Sequence, residues 1–153
     1  MSEVHRILDQ MDRAFSGDAW HGPNLMSVLD GISAEDASKH SIPNAHSIWE
    51  LVHHIAAWNT ISQHRVAGET VEVTTERDFP PVWEVSETAW KRALEQLVES
   101  RARLRDTVKA LTDDQLESKA TGPDYTRYQI LHGVVQHDLY HAGQIVMLKK
   151  ALA

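Results

Sequence analysis

The sequence contains no cysteine, so disulfide bonds, thiolate metal sites and a cysteine nucleophile are all excluded. Histidine and carboxylate side chains are then the strong metal ligands that the chain offers. Ten histidines among 153 residues are a high count. This abundance invites a search for a metal site, but it also produces histidine pairs by chance.

Basic residues are also scarce, since 15 Lys and Arg residues stand against 22 Asp and Glu residues, for a formal net charge of −7. A nucleic-acid surface needs cations to neutralise phosphates, so this balance argues against nucleic acid as a partner. No apolar run reaches the length of a membrane span, and residues 1–6 do not resemble a signal peptide. We therefore expect a cytoplasmic protein without a membrane partner.

The length and composition fit one domain. With 42% apolar residues, the chain is long enough to bury one sizeable core. No low-complexity tract or sequence repeat divides it. We therefore treat residues 1–153 as a single domain.

Apolar periodicity predicts an all-α fold with four main helices. The second and fourth begin with capping boxes, Ser47-Ile48-Trp49-Glu50 and Thr126-Arg127-Tyr128-Gln129. Between the first two helices, Gly and Pro break the chain into short pieces, and residues 122–124 form a predicted turn. The pattern indicates a four-helix bundle whose helices cover residues 3–16, 47–62, 86–111 and 126–152.

Residues 63–85 form a long predicted connection between the second and third helices. A connection of this length is able to carry the chain along a whole bundle. The two helices that it joins therefore need not be antiparallel neighbours.

His137 and His141 lie one helical turn apart, on a face that is otherwise built from apolar residues. Chance alone gives roughly 0.6 such pairs in a chain with this many histidines, so the spacing is weak evidence by itself. The apolar setting carries more weight, because a buried imidazole needs a partner. Two interpretations stay open here, a metal site and a pair of hydrogen-bonded core histidines.

Gly143 follows this pair in the middle of a strong helix, where glycine weakens the helix. We expect a neighbouring backbone or a ligand to approach it closely. His132 lies about 140° around the helix from His137 and is excluded from the same ion.

The second helix offers a third histidine, either His53 or His54. His54 shares a face with Leu51 and Trp58, which makes it the better candidate to point inward, but the residues alone leave His53 open. The remaining candidates are expected elsewhere: Trp49, Trp58 and Trp90 in the core or in pocket walls, and His5, His21, His40, His46 and His64 on the surface.

Two segments resemble motifs of the DinB/YfiT-like superfamily. Residues 47–58 resemble its second-helix motif, and residues 137–145 resemble its C-terminal His-x-x-x-His-x-Gly-Gln motif, while residues 20–25 also fit the family pattern. The resemblance covers nearly the whole chain. It implies a four-helix bundle with a long crossover connection between helices 2 and 3, often assembled as a homodimer.

The resemblance also implies a divalent metal ion, with zinc or nickel expected, held by three histidines that carry over to His54, His137 and His141. Four further residues are candidates for supporting the ligands or lining a pocket, namely Glu50, Trp58, Asp138 and Gln144. Glu50 has the alternative role of a helix cap, and Asp138 that of a surface ion-pair partner.

Three functions follow from such a site, and we expect an enzyme. The first is transfer of a small-molecule thiol to an electrophilic substrate, and the second is hydrolysis by a metal-bound water. The third is a metal-stabilised dimer that binds a small molecule or partner without catalysis. A zincin protease is disfavoured, because Asp138 is one methylene shorter than the zincin glutamate and no third ligand follows in the last 12 residues.

Overall fold

The structure is a computed structural model that describes residues 1–122 and 124–153. Of the turn predicted at residues 122–124, Pro123 lies outside the described residues. The described chain is all-α, as predicted, and two isolated β-bridges are its only extended pairings. Its helices are α1 (Glu3–Phe15), α2 (Leu25–Leu29), α3 (Ala34–Ser38), α4 (Ile48–Ala67), α5 (Thr75–Asp78), α6 (Glu87–Lys109), α7 (Asp113–Leu116) and α8 (Arg127–Leu152).

Both predicted capping boxes are present. Ser47 accepts a hydrogen bond from the amide of Glu50, whose carboxylate accepts one from the amide of Ser47. Thr126 and Gln129 make the same reciprocal pair at the start of α8. Caps of this kind stabilise a helix by about 1 kcal/mol each, and they fix where the two histidine-bearing helices begin.

Helix α4 is longer than predicted, so the proposed start of the connection at residue 63 is wrong. The buried face of the helix continues to Val66, and Gly68 then ends the helix with φ = 92°, a left-handed conformation that glycine adopts without strain. The connection to α6 therefore covers residues 68–86. It contains the short helix α5, which packs against α4.

The four long helices contact one another in a closed arrangement. Helices α1 and α4 each pack against both α6 and α8. The segment between α1 and α4 is two separate short helices, α2 and α3, because Asn24 and Ser33 each provide an N-cap. Both pack onto the long helices.

The apolar core is divided into two clusters by a layer of polar side chains. On α6, Leu97 belongs to one cluster and Leu104 to the other, and on α8 the same separation runs from Ala142 to Val134. The residues between them are polar and buried. We call this set the polar layer: Asn59, Ser62, Ser100, Arg101 and Asp138. On α8, His137 and His141 flank Asp138 of this layer, whereas on α4 His54 lies next to Ile55 of the first cluster.

Candidate metal centre

Three histidines from α4 and α8 meet at one point. The Nε2 atom of His137 lies 3.0 Å from Nε2 of His54 and 3.0 Å from Nε2 of His141. One ligand atom from each residue falls within 4.8 Å of the other two. The helical period places His137 and His141 on one face of α8, and the packing of α4 on α8 brings His54 to it.

The three neutral imidazole rings have too few N–H protons to hydrogen-bond all of the nitrogen atoms that meet at this point. Nδ1 of His54 donates to the backbone carbonyl of Asp78 at 2.8 Å, and Nδ1 of His141 donates to Oε1 of Gln144 at 2.6 Å. A neutral imidazole carries one proton, so both residues turn an Nε2 lone pair toward His137. Nε2 of His137 holds at most one proton and serves only one of them. Hydrogen bonding alone therefore leaves a lone pair unmatched, whereas a cation accepts all three nitrogens.

The electrostatics keep the three rings neutral. Burial is the main cause that lowers the pKa of His137 to about 3, and the neighbouring rings of His141 and His54 and the Arg101 guanidinium contribute to this shift in the same direction. Burial is also the main cause that lowers the pKa of His54 and of His141. Neutral imidazole is the form that binds a metal, so protons do not compete for the site at neutral pH.

The end of α5 supports His54. Besides the carbonyl of Asp78, its carboxylate Oδ1 lies 3.2 Å from His54 Nδ1 and accepts a hydrogen bond from the indole N–H of Trp58 at 2.7 Å. Phe79 stacks on the His54 ring with centroids 4.1 Å apart. Sequence reasoning missed Asp78 and Phe79, because they lie in the long connection, where no periodic pattern marks a residue as inward.

His53 has no free nitrogen for this centre. Its Nε2 accepts a hydrogen bond from the indole of Trp49 at 3.0 Å, and its Nδ1 donates to the carbonyl of Pro80 at 3.0 Å. The choice between the two adjacent histidines, which the residues left open, therefore falls on His54.

The four supporting candidates divide into two groups. Gln144 bonds to His141, and Trp58 lies 6.1 Å from the His137 ring, centroid to centroid. Glu50 instead serves as the cap of α4 and also contacts two exposed histidines, His40 and His46.

Asp138 is buried, so its alternative role as a surface ion-pair partner is wrong. Its Oδ2 accepts a hydrogen bond from Arg101 at 2.5 Å, inside the polar layer, because residue 138 is turned about 100° around α8 from His137. Burial raises the pKa of Asp138 to about 6. The carboxylate lies in the core beside the centre and does not bond to its histidines.

No neighbouring backbone of this chain makes the close approach expected at Gly143. Apart from its chain neighbours and the adjacent backbone of α8, a Cβ atom built there meets no described atom within 4 Å, and the residue is exposed. Gly133, one turn before His137, is equally open.

The remaining aromatic and histidine predictions are confirmed with one addition. Trp49 and Trp90 are 1% and 3% exposed and lie in the core. The five surface histidines are exposed or half-exposed. His46 also stacks on Phe79, on which His54 stacks in turn, which adds an aromatic layer above the centre.

A cavity of about 420 Å³ opens beside His137. Its walls include Trp58, Arg65, Tyr125 and Gly133. No Asp or Glu among the described residues lines it. The cavity is large enough for a small organic molecule and gives it access to His137.

A family model described as the DinB superfamily matches residues 19–145. No curated protein matches the sequence. A solved structure described as the "conserved protein of locus from Enterococcus faecalis" aligns over 99% of this chain and 97% of its own, with a TM-score of 0.73 and 15% sequence identity. At this identity the likeness shows the fold alone. None of the helices described in the chain is long and apolar enough to cross a membrane.

Proposed function

This chain belongs to the DinB superfamily, and from that premise we propose that it holds a divalent metal ion through His54, His137 and His141 and transfers a small-molecule thiol to an electrophilic substrate. One observation carries the metal: two Nε2 lone pairs converge on a third imidazole that has a proton for only one of them. Zinc and nickel both suit imidazole ligands.

When bound, such an ion lowers the pKa of a thiol or water that joins it. The surroundings favour the thiol. Hydrolysis also needs a protein group that takes a proton from water and returns one to the leaving group. Asp138 faces the core, Glu50 caps a helix, and the Asp78 carboxylate already accepts the Trp58 indole N–H beside His54. The described cavity lining holds no carboxylate. A thiol, with an ordinary pKa near 8.5, needs less assistance to ionise.

The protein's own residues then bind and orient the reactants. The thiolate sulfur forms a bond to the electrophilic carbon, the leaving group departs with its bonding electron pair, and the thiol proton passes to solvent. Trp58 supplies an apolar wall for the electrophile beside His137. Asp78 and Gln144 keep the Nδ1 protons of His54 and His141 in place, so that both Nε2 lone pairs face the centre.

Metal analysis tests the first half of the proposal. Purified protein is expected to carry one divalent ion per chain after incubation with zinc or nickel and gel filtration. His54→Ala, His137→Ala and His141→Ala should each lose it, while His64→Ala, on the exposed end of α4, should keep it. Full retention by His137→Ala would rule out the proposed centre.

Spectroscopy and turnover test the second half. In cobalt-loaded protein, an added thiol that joins the ion produces a sulfur-to-cobalt charge-transfer band. Thiols with monochlorobimane, alongside ester and amide substrates, then separate transfer from hydrolysis. Ester or amide cleavage without thiol transfer would replace the proposal with a hydrolase. Metal binding without any turnover would favour a non-catalytic binding protein.

We further propose that the four long helices form a bundle of the DinB/YfiT-like type, with residues 68–86 as its long crossover, and that two copies associate. The exposed side chains of Tyr140 and Met147 flank the open Gly143 on one stripe of α8, which supports a contact there. Light scattering during gel filtration tests this: the native chain should be a dimer, and Tyr140→Lys with Met147→Lys should give a monomer. A native monomer at micromolar concentration would contradict it.

A further inference from the structure

Among the residues that the structure describes, a single cation lines the cavity beside His137, in an otherwise acidic protein. Arg65 lines it together with Trp58, Tyr125, Gln129, Gly133 and His137. The chain carries 22 acidic residues, yet none that the structure describes faces this cavity. A concave site with one sign of charge concentrates ligands of the opposite sign.

Arg65 is held in place, but none of the described carboxylates pairs with it. Its guanidinium carbon lies over the Trp58 ring, 5.5 Å from the centroid. Arg101 and Arg105 pair with Asp138 and Asp12, whereas Arg65 forms no ion pair with any carboxylate in residues 1–122 and 124–153. Its Nε–H is also buried without a hydrogen-bond partner in that part of the chain. Because the Nε–H is out of reach of a molecule in the cavity, a planar, two-oxygen acceptor would pair with the two Nη groups of this guanidinium.

Trp58 connects this cation to the histidines. The Arg65 guanidinium lies over the Trp58 ring, and the centroid of that ring is 6.1 Å from the centroid of the His137 ring. A small molecule that reaches from the guanidinium to the centre must therefore cross one indole ring. The open Gly133 leaves space along that path.

We propose that Arg65 binds the carboxylate of a small organic acid whose reactive end lies along Trp58 toward His137. The proposal rests on the proposed thiol transfer for the reaction at that end, and it names the substrate class. The guanidinium accounts for the affinity and the indole for the orientation. Gln129 stands at the same wall, with Oε1 already accepting from the amide of Thr126 and its amide nitrogen left to donate.

The test measures carboxylate preference in metal-free protein, using 3-phenylpropionate and its uncharged analogue 3-phenylpropanamide. The ¹H–¹⁵N resonances of Trp58 Nε1 and Arg65 Nε report binding. Wild-type protein is expected to bind the acid about tenfold more tightly than the amide, because a charged hydrogen-bonded pair is lost with the amide. Equal binding of the two probes, or no saturable shift with either, overturns the proposal.

Variants test whether Arg65 causes the preference for the carboxylate. Arg65→Gln should lower the affinity for the acid to that for the amide, with the amide's affinity unchanged, and Arg65→Lys should keep part of the preference. Arg92→Gln, on the exposed face of α6, makes the same change in net charge and should leave the preference intact. Retained amide binding shows that the variant is folded. A preference that survives Arg65→Gln overturns the assignment.

A cobalt-loaded arm shows which reactant carries the acid. If 3-mercaptopropionate exceeds 3-mercaptopropanamide in saturating the charge-transfer band, and Arg65→Gln removes the difference, the carboxylate belongs to the thiol. If only 3-phenylpropionate shows the Arg65-dependent preference, the carboxylate belongs to the electrophilic substrate. Since the main test uses neither metal nor thiol, it can fail while thiol transfer stands, and it can succeed while thiol transfer fails.

Discussion

The backbone carbonyl of Asp78 accepts a hydrogen bond from Nδ1 of His54 at 2.8 Å, across 24 positions of the chain. The same residue holds its carboxylate 3.2 Å from that nitrogen. The connection between α4 and α6 is thus part of the candidate centre, because it fixes the tautomer and the plane of one ring.

Removing the Asp78 carboxylate should weaken metal binding. Asp78→Ala removes both the negative charge beside His54 and the acceptor of the Trp58 N–H, so we expect a loss of about 10-fold to 100-fold in affinity. Asp78→Asn keeps an acceptor oxygen and should lose less. Competition with a chelator of known affinity measures both, and Asp114→Asn, on an exposed residue, serves as the charge control. Unchanged affinity in Asp78→Ala would show that the backbone carbonyl is sufficient.

Alanine at either open glycine of α8 should stabilise the chain. A Cβ at Gly133 or Gly143 meets no described atom, and alanine favours a helix over glycine by about 0.5–1 kcal/mol. Each substitution should therefore raise the melting temperature by about 1–4 °C in thermal unfolding followed by circular dichroism. Gly68→Ala is the opposing control, since φ = 92° there strains any Cβ and should cost about 1–2 kcal/mol. A lower melting temperature for Gly143→Ala would indicate a close contact at that residue after all.

Acid should destabilise the metal-free protein through His137. Its pKa is about 3 in the folded chain against 6.5 for an ordinary histidine, so the unfolded state binds more protons as the pH falls below 6.5. From pH 7 to pH 5 the penalty is about 2 kcal/mol. Asp138 acts with the opposite sign, because its raised pKa favours the folded state as the pH falls from about 6 toward 3.8.

The comparison of wild type with His137→Leu isolates the histidine, since Asp138 is common to both. Urea unfolding at pH 7 and pH 5 should show wild type losing about 2 kcal/mol more than the variant. Parallel losses in the two proteins would mean that His137 titrates near its ordinary pKa.

Removing one partner of the buried Arg101–Asp138 pair should destabilise the fold more than replacing both partners. Arg101 and Asp138 are 4% and 0% exposed, so Arg101→Met leaves a buried carboxylate without its partner, at a cost of about 3–5 kcal/mol. The double variant Arg101→Met with Asp138→Leu should recover most of that loss. Urea unfolding of the two single variants and the double variant gives the coupling energy. Additive losses would show that the two charges do not depend on each other.

Much of this molecule is determined locally by its sequence. The capping boxes at Ser47 and Thr126 fix where α4 and α8 begin, because the cap residues lie within four positions of each other. The 3.6-residue period then places His137 and His141 on one face. These features do not depend on contacts between distant residues. The sequence alone was therefore sufficient to predict the all-α class and to identify the family motifs.

Other features were decided by tertiary packing. Whether His53 or His54 faces α8 depends on how α4 is rotated in the core, and the position of Asp78 depends on how residues 68–86 fold back over α4. The position of Asp138 beside Arg101, rather than at the surface, follows from the packing of α8 on α1 and α4, which places Asp138 in the core opposite Arg101 of α6. Each of these contacts joins residues more than 20 positions apart, so it forms only when the helices pack together. The periodicity of the sequence along one helix therefore does not predict it.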